Sequence, residues 1–279
     1  MCGSLAILIA TVMLAGCPTP EHDVAKSQKR LDLAIDFLAK RQLEAAETEC
    51  NRALALNPAN EAAYNTRGLV SMLRAIEKQR SLEIEDCLTG LDAEATHKDL
   101  EKFLKTADAD FAKAIKLHPD YGEAWANRGV IATLLEDYPA AVIDLTRALE
   151  NPNRLVDAGL ARAHLGWAYF HQQKYVEAAT ELRNVRQFSP KMCVATYRLG
   201  RVYFAREEWD KAAELLETAS NDPSCGSQEA SLYLMKTRMQ QGLVDDARHA
   251  RDACLKMSPQ SCVAQQCNAD GGALGKGNP

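Results

Sequence analysis

The chain has 279 residues, 47% of them hydrophobic and 25% charged, with a formal net charge of −5. That composition supports a packed core and excludes a disordered, collagenous or polybasic chain. The acidic balance, with no Lys/Arg stripe carrying interleaved aromatics, excludes a nucleic-acid surface. The chain opens on MCGSLAILIATVMLAGC, an apolar run ending in Leu14-Ala15-Gly16-Cys17. The run is short for a retained bilayer span. Its end fits the bacterial lipobox, in which residues 1–16 are removed as a signal peptide and Cys17 becomes the lipidated N-terminus. No Lys or Arg precedes the apolar core, so the expectation is a start upstream of Met1 or an unusual start. Pro18 stands where inner-membrane retention would place an aspartate, which predicts the outer membrane, periplasmic face. Residues 17–26 read as a lipidated tether, with attachment to the membrane resting on acyl chains and not on a basic patch.

From about residue 27 the sequence repeats. The clearest unit, EAWANRGVIATLLEDYPAAVIDLTRA from Glu123 to Ala148, reads as two amphipathic helices around a turn at Asp137-Tyr138-Pro139. Pro139 suits a helix start because its missing N–H would go unpaired there, and Pro152 closes the second helix. Trp125, Gly129 and Ala132 mark the first helix, and Ala141, Leu145 and Ala148 the second. Small residues stand where helices must approach closely, with large ones beside them. Sliding this pattern by about 34 residues finds five more units. Ala34, Phe37, Ala46, Ala53 and Pro58 fit a unit at 27–60. Tyr64, Gly68, Ala107, Phe111, Ala114 and Pro119 fit one at 61–121 that is split by an insertion at about 77–105. Gly166, Tyr169, Ala178, Leu182 and Pro190 fit a unit at 159–192. Leu199, Gly200, Tyr203, Ala212, Leu216 and Ala219 fit one at 193–226. Leu234, Ala247 and Pro259 fit one at 228–261, where Met235 replaces the small residue. Asp99, Leu100, Phe103 and Leu104 carry helical spacing into the insertion, which predicts lengthened helices and a loop near Gly90. No stretch alternates as a strand would. The Gly-rich residues 262–279 read as a flexible tail.

Six phased units of these residue types resemble tetratricopeptide (TPR) repeats over roughly 27–261. The resemblance implies an all-α superhelical solenoid in which the first helix of each pair lines the concave side. It also implies which positions face the groove: Leu31, Ile35 and Leu38; Asn65, Leu69, Met72 and Leu73; Ala126, Val130, Thr133 and Leu134; Ala163, Trp167, Phe170 and His171; Tyr197, Arg201 and Phe204; Leu232, Lys236 and Met239. The lining so drawn is mostly apolar and aromatic. An exposed groove of that kind implies a polypeptide partner, an amphipathic helix or an extended apolar segment. Leu69, Met72, Leu73, Leu134, Trp167, Phe170, Tyr197, Arg201, Phe204 and Met239 are the contact candidates, the aromatics chief among them.

Nine cysteines fit an oxidising compartment. With Cys2 and Cys17 removed, seven remain, an odd number that leaves one thiol over. Cys193 and Cys225 fall at the joints of neighbouring units, and a bridge between them would close about 33 residues and contribute roughly 3–4 kcal/mol. Cys254 has two candidate partners, Cys262 and Cys267, and Cys50 has Cys87. Spacing does not point to a metal: there is no C-x₂-C pair, and Cys262 and Cys267 have no His nearby. No cofactor is expected.

A catalytic constellation is also missing. The sequence has no G-x-S-x-G, phosphate loop or H-E-x-x-H. His164 and His171 flank Trp167 on one helix face, but two turns apart, too far to share a metal without a third ligand. The chain reads as a non-enzyme. A lipobox followed at once by TPR-like units resembles the lipoprotein pilotins of the type IV pilus system (Tgl/PilF type). That resemblance implies binding of an outer-membrane secretin subunit and promotion of secretin assembly. The other reading is a general periplasmic scaffold for cell-wall enzymes or for outer-membrane protein assembly.

Overall fold

The ends of the helices are set by local chemistry. Asp137 and Asp157 accept from the backbone N–H of Ala140 and Leu160 and so cap helices that begin one residue later; Ser227 and Ser261 do the same for Ala230 and Ala264. Five turns between paired helices pass through a left-handed residue, Arg41, Glu136, Gln173, Glu207 and Gly242, with φ between 59° and 73°. At the third pair Asp137 N–H reaches Ala132 O at 2.8 Å and Glu136 N–H reaches Thr133 O at 3.2 Å. These bonds satisfy the last carbonyls of one helix as the chain reverses into the next.

The computed structural model describes residues 23–85, 87, 93–222, 225 and 227–274. The signal-peptide reading, Cys17 and the loop near Gly90 lie outside them. Thirteen α-helices and no strand occur among the described residues. They form six antiparallel pairs: α1 (Val24–Ala39) with α2 (Leu43–Leu56), α3 (Glu61–Glu85) with α4 (Glu94–Leu117), α5 (Gly122–Leu134) with α6 (Tyr138–Glu150), α7 (Ala158–His171) with α8 (Tyr175–Phe188), α9 (Cys193–Ala205) with α10 (Trp209–Asn221), and α11 (Gln228–Gln240) with α12 (Val244–Met257). A short helix, α13 (Cys262–Asp270), follows. The fold is an all-α solenoid in which each pair packs on the next. Helix α1 starts at Val24, inside the stretch read as tether.

Close approach within a pair depends on glycine. A Cβ on Gly129 would lie 2.6 Å from Leu145 Cγ, and one on Gly68 would lie 2.6 Å from the Phe111 ring. Leu145 and Phe111 are fully buried. Each large side chain of a second helix therefore occupies the space that the glycine of its first helix leaves open. Two of these pairs are also tied by bidentate ion pairs. Arg67 donates from Nε and Nη2 to Asp110 at 2.8 and 2.6 Å, and Arg128 makes the same fork to Asp144 at 2.6 and 2.5 Å. Asn127 Nδ2 then donates to Asn65 Oδ1 at 3.1 Å across the two pairs.

The insertion extends α3 to 25 residues and α4 to 24, against 13 to 16 in the other paired helices. Leu82 and Leu104 keep the extended hairpin packed, and Lys78 pairs with Asp99 at 2.9 Å. The hairpin does not end as a free protrusion. Cys87, near its tip, is bonded to Cys262 at the start of α13, with a Cα–Cα separation of 5.3 Å across 175 residues of chain. Gln265 Nε2 donates to Cys87 O at 2.6 Å beside it. The pairing of Cys50 with Cys87 is thereby corrected. Cys50 is a buried free thiol on α2, its pKa pushed up to about 12 by desolvation, and the hairpin carries Cys87 away from it. Cys193 is bonded to Cys225, and Cys254 to Cys267.

The flexible-tail reading of 262–279 also needs correction over its described part. Residues 262–270 are helical and a 3-10 turn continues to Leu274, which is buried. Two disulfides hold α13. Ser261 Oγ donates to Gln228 Oε1 at 2.7 Å, and Arg248 Nε donates to Leu274 O at 2.9 Å. These contacts close the open end of the α11–α12 pair, whose Met235 would otherwise face water.

Candidate partner-binding site

The first helices α3, α5, α7 and α9 converge on one cavity of about 230 Å³. It is lined by Gln79 of α3, Val130, Thr133 and Leu134 of α5, Glu136 and Tyr138 at the following turn, His164, Trp167 and His171 of α7, and Arg198 of α9. A pocket built from the first helices of successive pairs lies on the concave side. The long hairpin overhangs it, since Gln79 sits on the added length of α3.

An aromatic group centres on Trp167. Trp167 stacks on Phe170 with centroids 4.7 Å apart and planes 3° apart, and Tyr197 lies 6.3 Å from Trp167. Offset ring pairs of this kind are worth about 0.5–1.5 kcal/mol beyond their buried area. His171 stacks on Tyr138 at 4.4 Å and meets the edge of Trp167 at 4.7 Å. Farther along, Phe204 makes edge contacts with Trp209 and Tyr233 at 5.4 and 5.2 Å. Arg201 threads the group. Its guanidinium is 3.6 Å from the Tyr233 ring centroid and 5.4 to 5.8 Å from those of Phe170, Trp167 and Tyr197.

The titratable groups here are shifted by burial. Desolvation, and then Arg198, push His164 well below its ordinary pKa. His171 is lowered by desolvation and by Arg201 and Arg198, with Glu136 opposing. Desolvation brings Arg198 down to about 10 and lifts Tyr197 to about 12. Both histidines are therefore neutral near pH 7, and the positive charge of the cavity is that of its arginine.

All ten contact candidates are half-buried. Leu69, Met72 and Leu134 pack against the core formed by Ala75, Leu104, Ala107, Phe111 and Ile131. Phe170, Tyr197, Phe204 and Met239 pack against the core of the last three pairs. Leu73 lies on the same helix as Met72. Trp167 lines the cavity directly. The cavity lining itself combines Trp167, Tyr138, Val130 and Leu134 with His164, His171, Glu136 and Arg198. Sequence reading missed Gln79, Glu136, Tyr138, His164 and Arg198 as lining residues. For His164 and Arg198 the signal lay two residues before the glycine of the unit, in a column that reads Thr66, Asn127, His164, Arg198 and Tyr233 along the solenoid. Metal-like spacing occurs at Cys193, Asp222 and Cys225, but the two sulfurs there are bonded to each other. No helix among the described residues is long and apolar enough to cross a membrane.

Models of the tetratricopeptide repeat match residues 103–154, 135–192 and 169–224. Residues 103–224 carry tetratricopeptide repeats. Its fold is similar to that of PilF of Pseudomonas aeruginosa, with a TM-score of 0.64 at 15% identity, covering 88% of this chain and 98% of that one. It is similar to PilW, described as a widely conserved type IV pilus biogenesis factor, with a TM-score of 0.65 at 18% identity, covering 86% and 97%. The Cut9–Hcn1 assembly of APC/C also matches, with a TM-score of 0.68 at 13% identity, over 88% of this chain and 42% of that one. Identities this low speak to the fold alone. No curated protein sequence matches the chain.

Proposed function

We propose that this chain is a non-catalytic lipoprotein. In this reading acyl groups on Cys17 hold it at the periplasmic face of the outer membrane, and it binds secretin subunits and promotes their assembly for type IV pili. One observation carries the reading: six helix pairs, matching PilF and PilW over nearly their whole length, bring Trp167, Phe170, Tyr197 and Phe204 together on the concave side. Large, half-buried rings are the side chains on which polypeptide interfaces concentrate their binding energy. The lipobox at Cys17 and the use of disulfides support a location in the envelope.

The test is a deletion strain. Secretin is expected to remain monomeric there, and the wild-type chain is expected to co-purify with it. Trp167→Ala is expected to weaken capture while the thermal melt of the chain holds. Secretin multimers at wild-type level without this protein would overturn the reading. Recovery of peptidoglycan enzymes in place of a secretin would favour the general scaffold.

A further inference from the structure

Antiparallel pairing gives the solenoid two edges. One is built from the turns inside pairs. The other is built from the joints between pairs, where each second helix ends and the next first helix begins. The edges differ in charge. More than half the positions in the turns 40–42, 135–137, 172–174, 206–208 and 241–243 are charged. Fewer than one in five are charged in the joints 57–60, 118–121, 151–157, 189–192, 222–227 and 258–261, and each joint contains a proline. The charge-poor edge also carries Val156, 88% exposed, and Phe188, 81% exposed, the most exposed large apolar side chains among the described residues. Both belong to the fourth pair. A Cβ on Gly159 would lie 3.4 Å from Met192 Cε and 3.7 Å from Ser189 Oγ, so the start of α7 meets the end of α8 there. Val156 and exposed Leu160 flank Gly159 in sequence, and Phe188 precedes Ser189. Asp157, the acid of this stretch, accepts from Leu160 N at 2.8 Å as the cap of α7, and Lys191 is exposed.

The N-terminal segment enters the solenoid at the same edge. Helix α1 begins at exposed Val24, and the backbone from Cys17 to that residue reaches at most about 25 Å. The other end of α1, at the turns, is about 24 Å farther along a 16-residue helix. An anchor on Cys17 therefore holds the joint edge nearer the bilayer than the turn edge. At the sixth pair the joint edge meets the hairpin tip through Cys87–Cys262, which leaves the earlier joints open. A bilayer extends far enough to meet the fourth pair as well as the first. Exposed apolar side chains gain by leaving water for its headgroup boundary, and a tether that keeps them close lets a small patch suffice. We propose that the joint edge at the fourth pair rests on the membrane surface, with Phe188, Val156 and Leu160 at the headgroup boundary and Lys191 among the phosphates. The charged turns then point into the periplasm. This inference rests on the reading of the chain as anchored through its N-terminal segment, and it does not depend on a secretin being the partner.

Fluorescence quenching by brominated lipids tests it. The full chain is reconstituted in vesicles of phosphatidylethanolamine and phosphatidylglycerol, with or without bromine on the acyl chains close to the headgroups. Phe188→Trp reports on the patch. Ile143→Trp, at an exposed site midway along α6, is the control, and the parent's own tryptophan emission is subtracted. Both sites are exposed, so both variants are expected to melt as the parent does. The tryptophan introduced by Phe188→Trp is expected to shift to the blue on vesicles and to lose about half or more of its emission to brominated lipid. That introduced by Ile143→Trp is expected to do neither. No quenching at position 188, or equal quenching at both sites, would overturn the proposal. So would a blue shift at position 188 that grows with protein concentration in the absence of vesicles, which would give the patch to a second copy of the chain. The full chain enters vesicles by acyl groups on Cys17 or by an uncleaved apolar run before it, so quenching is read in either case. The mass of the purified chain tells these apart. Quenching without acyl mass sinks the lipoprotein reading alone, and acyl mass without quenching sinks the membrane-facing edge alone.

Discussion

Two stretches of the solenoid use the same side chain to opposite ends. In the second and third pairs Arg67 and Arg128 cross from a first helix to Asp110 and Asp144 on the second, and both carboxylates are almost fully buried. In the fifth pair Arg198 and Arg201, both on α9, lie among rings and form no ion pair among the described residues. The first arrangement is internally satisfied and holds a hairpin shut. The second sets the charge against ring faces and a single hydrogen bond each. Pairing state, more than residue type, separates the two groups.

The largest way to strain that comparison is to disconnect its two halves. On the chain-entropy account a bridge spanning 175 residues contributes about 5 kcal/mol, against about 3 kcal/mol for the 13-residue span of Cys254–Cys267. Replacing Cys87 and Cys262 together by Ser is expected to lower the guanidinium unfolding free energy by up to that larger amount. An unchanged midpoint would show that the strap contributes nothing to the folded state.

Asp144→Ala comes next. It leaves Arg128 uncompensated and is expected to cost about 3 kcal/mol. Arg198→Gln, which breaks no ion pair, is expected to stay within about 1 kcal/mol of the parent. Equal losses in urea melts would erase the distinction between the two groups of arginines. Gly129→Ala should cost about 1–2 kcal/mol, because the added methyl meets Leu145 at 2.6 Å and that outweighs the roughly 1 kcal/mol gain in helix propensity.

The smallest effect is one of pH. The unfolded chain protonates His164 below about pH 6.5, while in the folded chain desolvation and then Arg198 defer that proton to lower pH. Stability is therefore complete above that pH and falls on acidification, by at most about 1.4 kcal/mol per pH unit. His164→Gln is expected to flatten this limb of the thermal-melt profile. An identical slope in parent and variant would assign the acid loss to other groups.

The hairpins were legible in the sequence because their cause is local and periodic. Gly68, Gly129, Gly166 and Gly200 each stand before a large residue of the next helix, and that pattern survives an insertion. Position within the repeat singled out Trp167, Phe170, Tyr197 and Phe204, which the structure brings into ring contacts. Arg198 did not, because the position it occupies holds Thr66 and Asn127 in earlier units, and only comparison down that column shows the change to a cation. The partner of Cys87 was hidden for a different reason: the curvature of stacked pairs brings together residues 175 apart, and no local pattern encodes curvature. Helix α13 was masked by the glycines that follow it. Its cap at Ser261 and its two cysteines are the features that order it.

The Cys87–Cys262 bond makes most of this protein a covalent loop. A protease that cuts any one peptide bond between those cysteines leaves the fragments joined, so they part on a gel only after a thiol reductant is added.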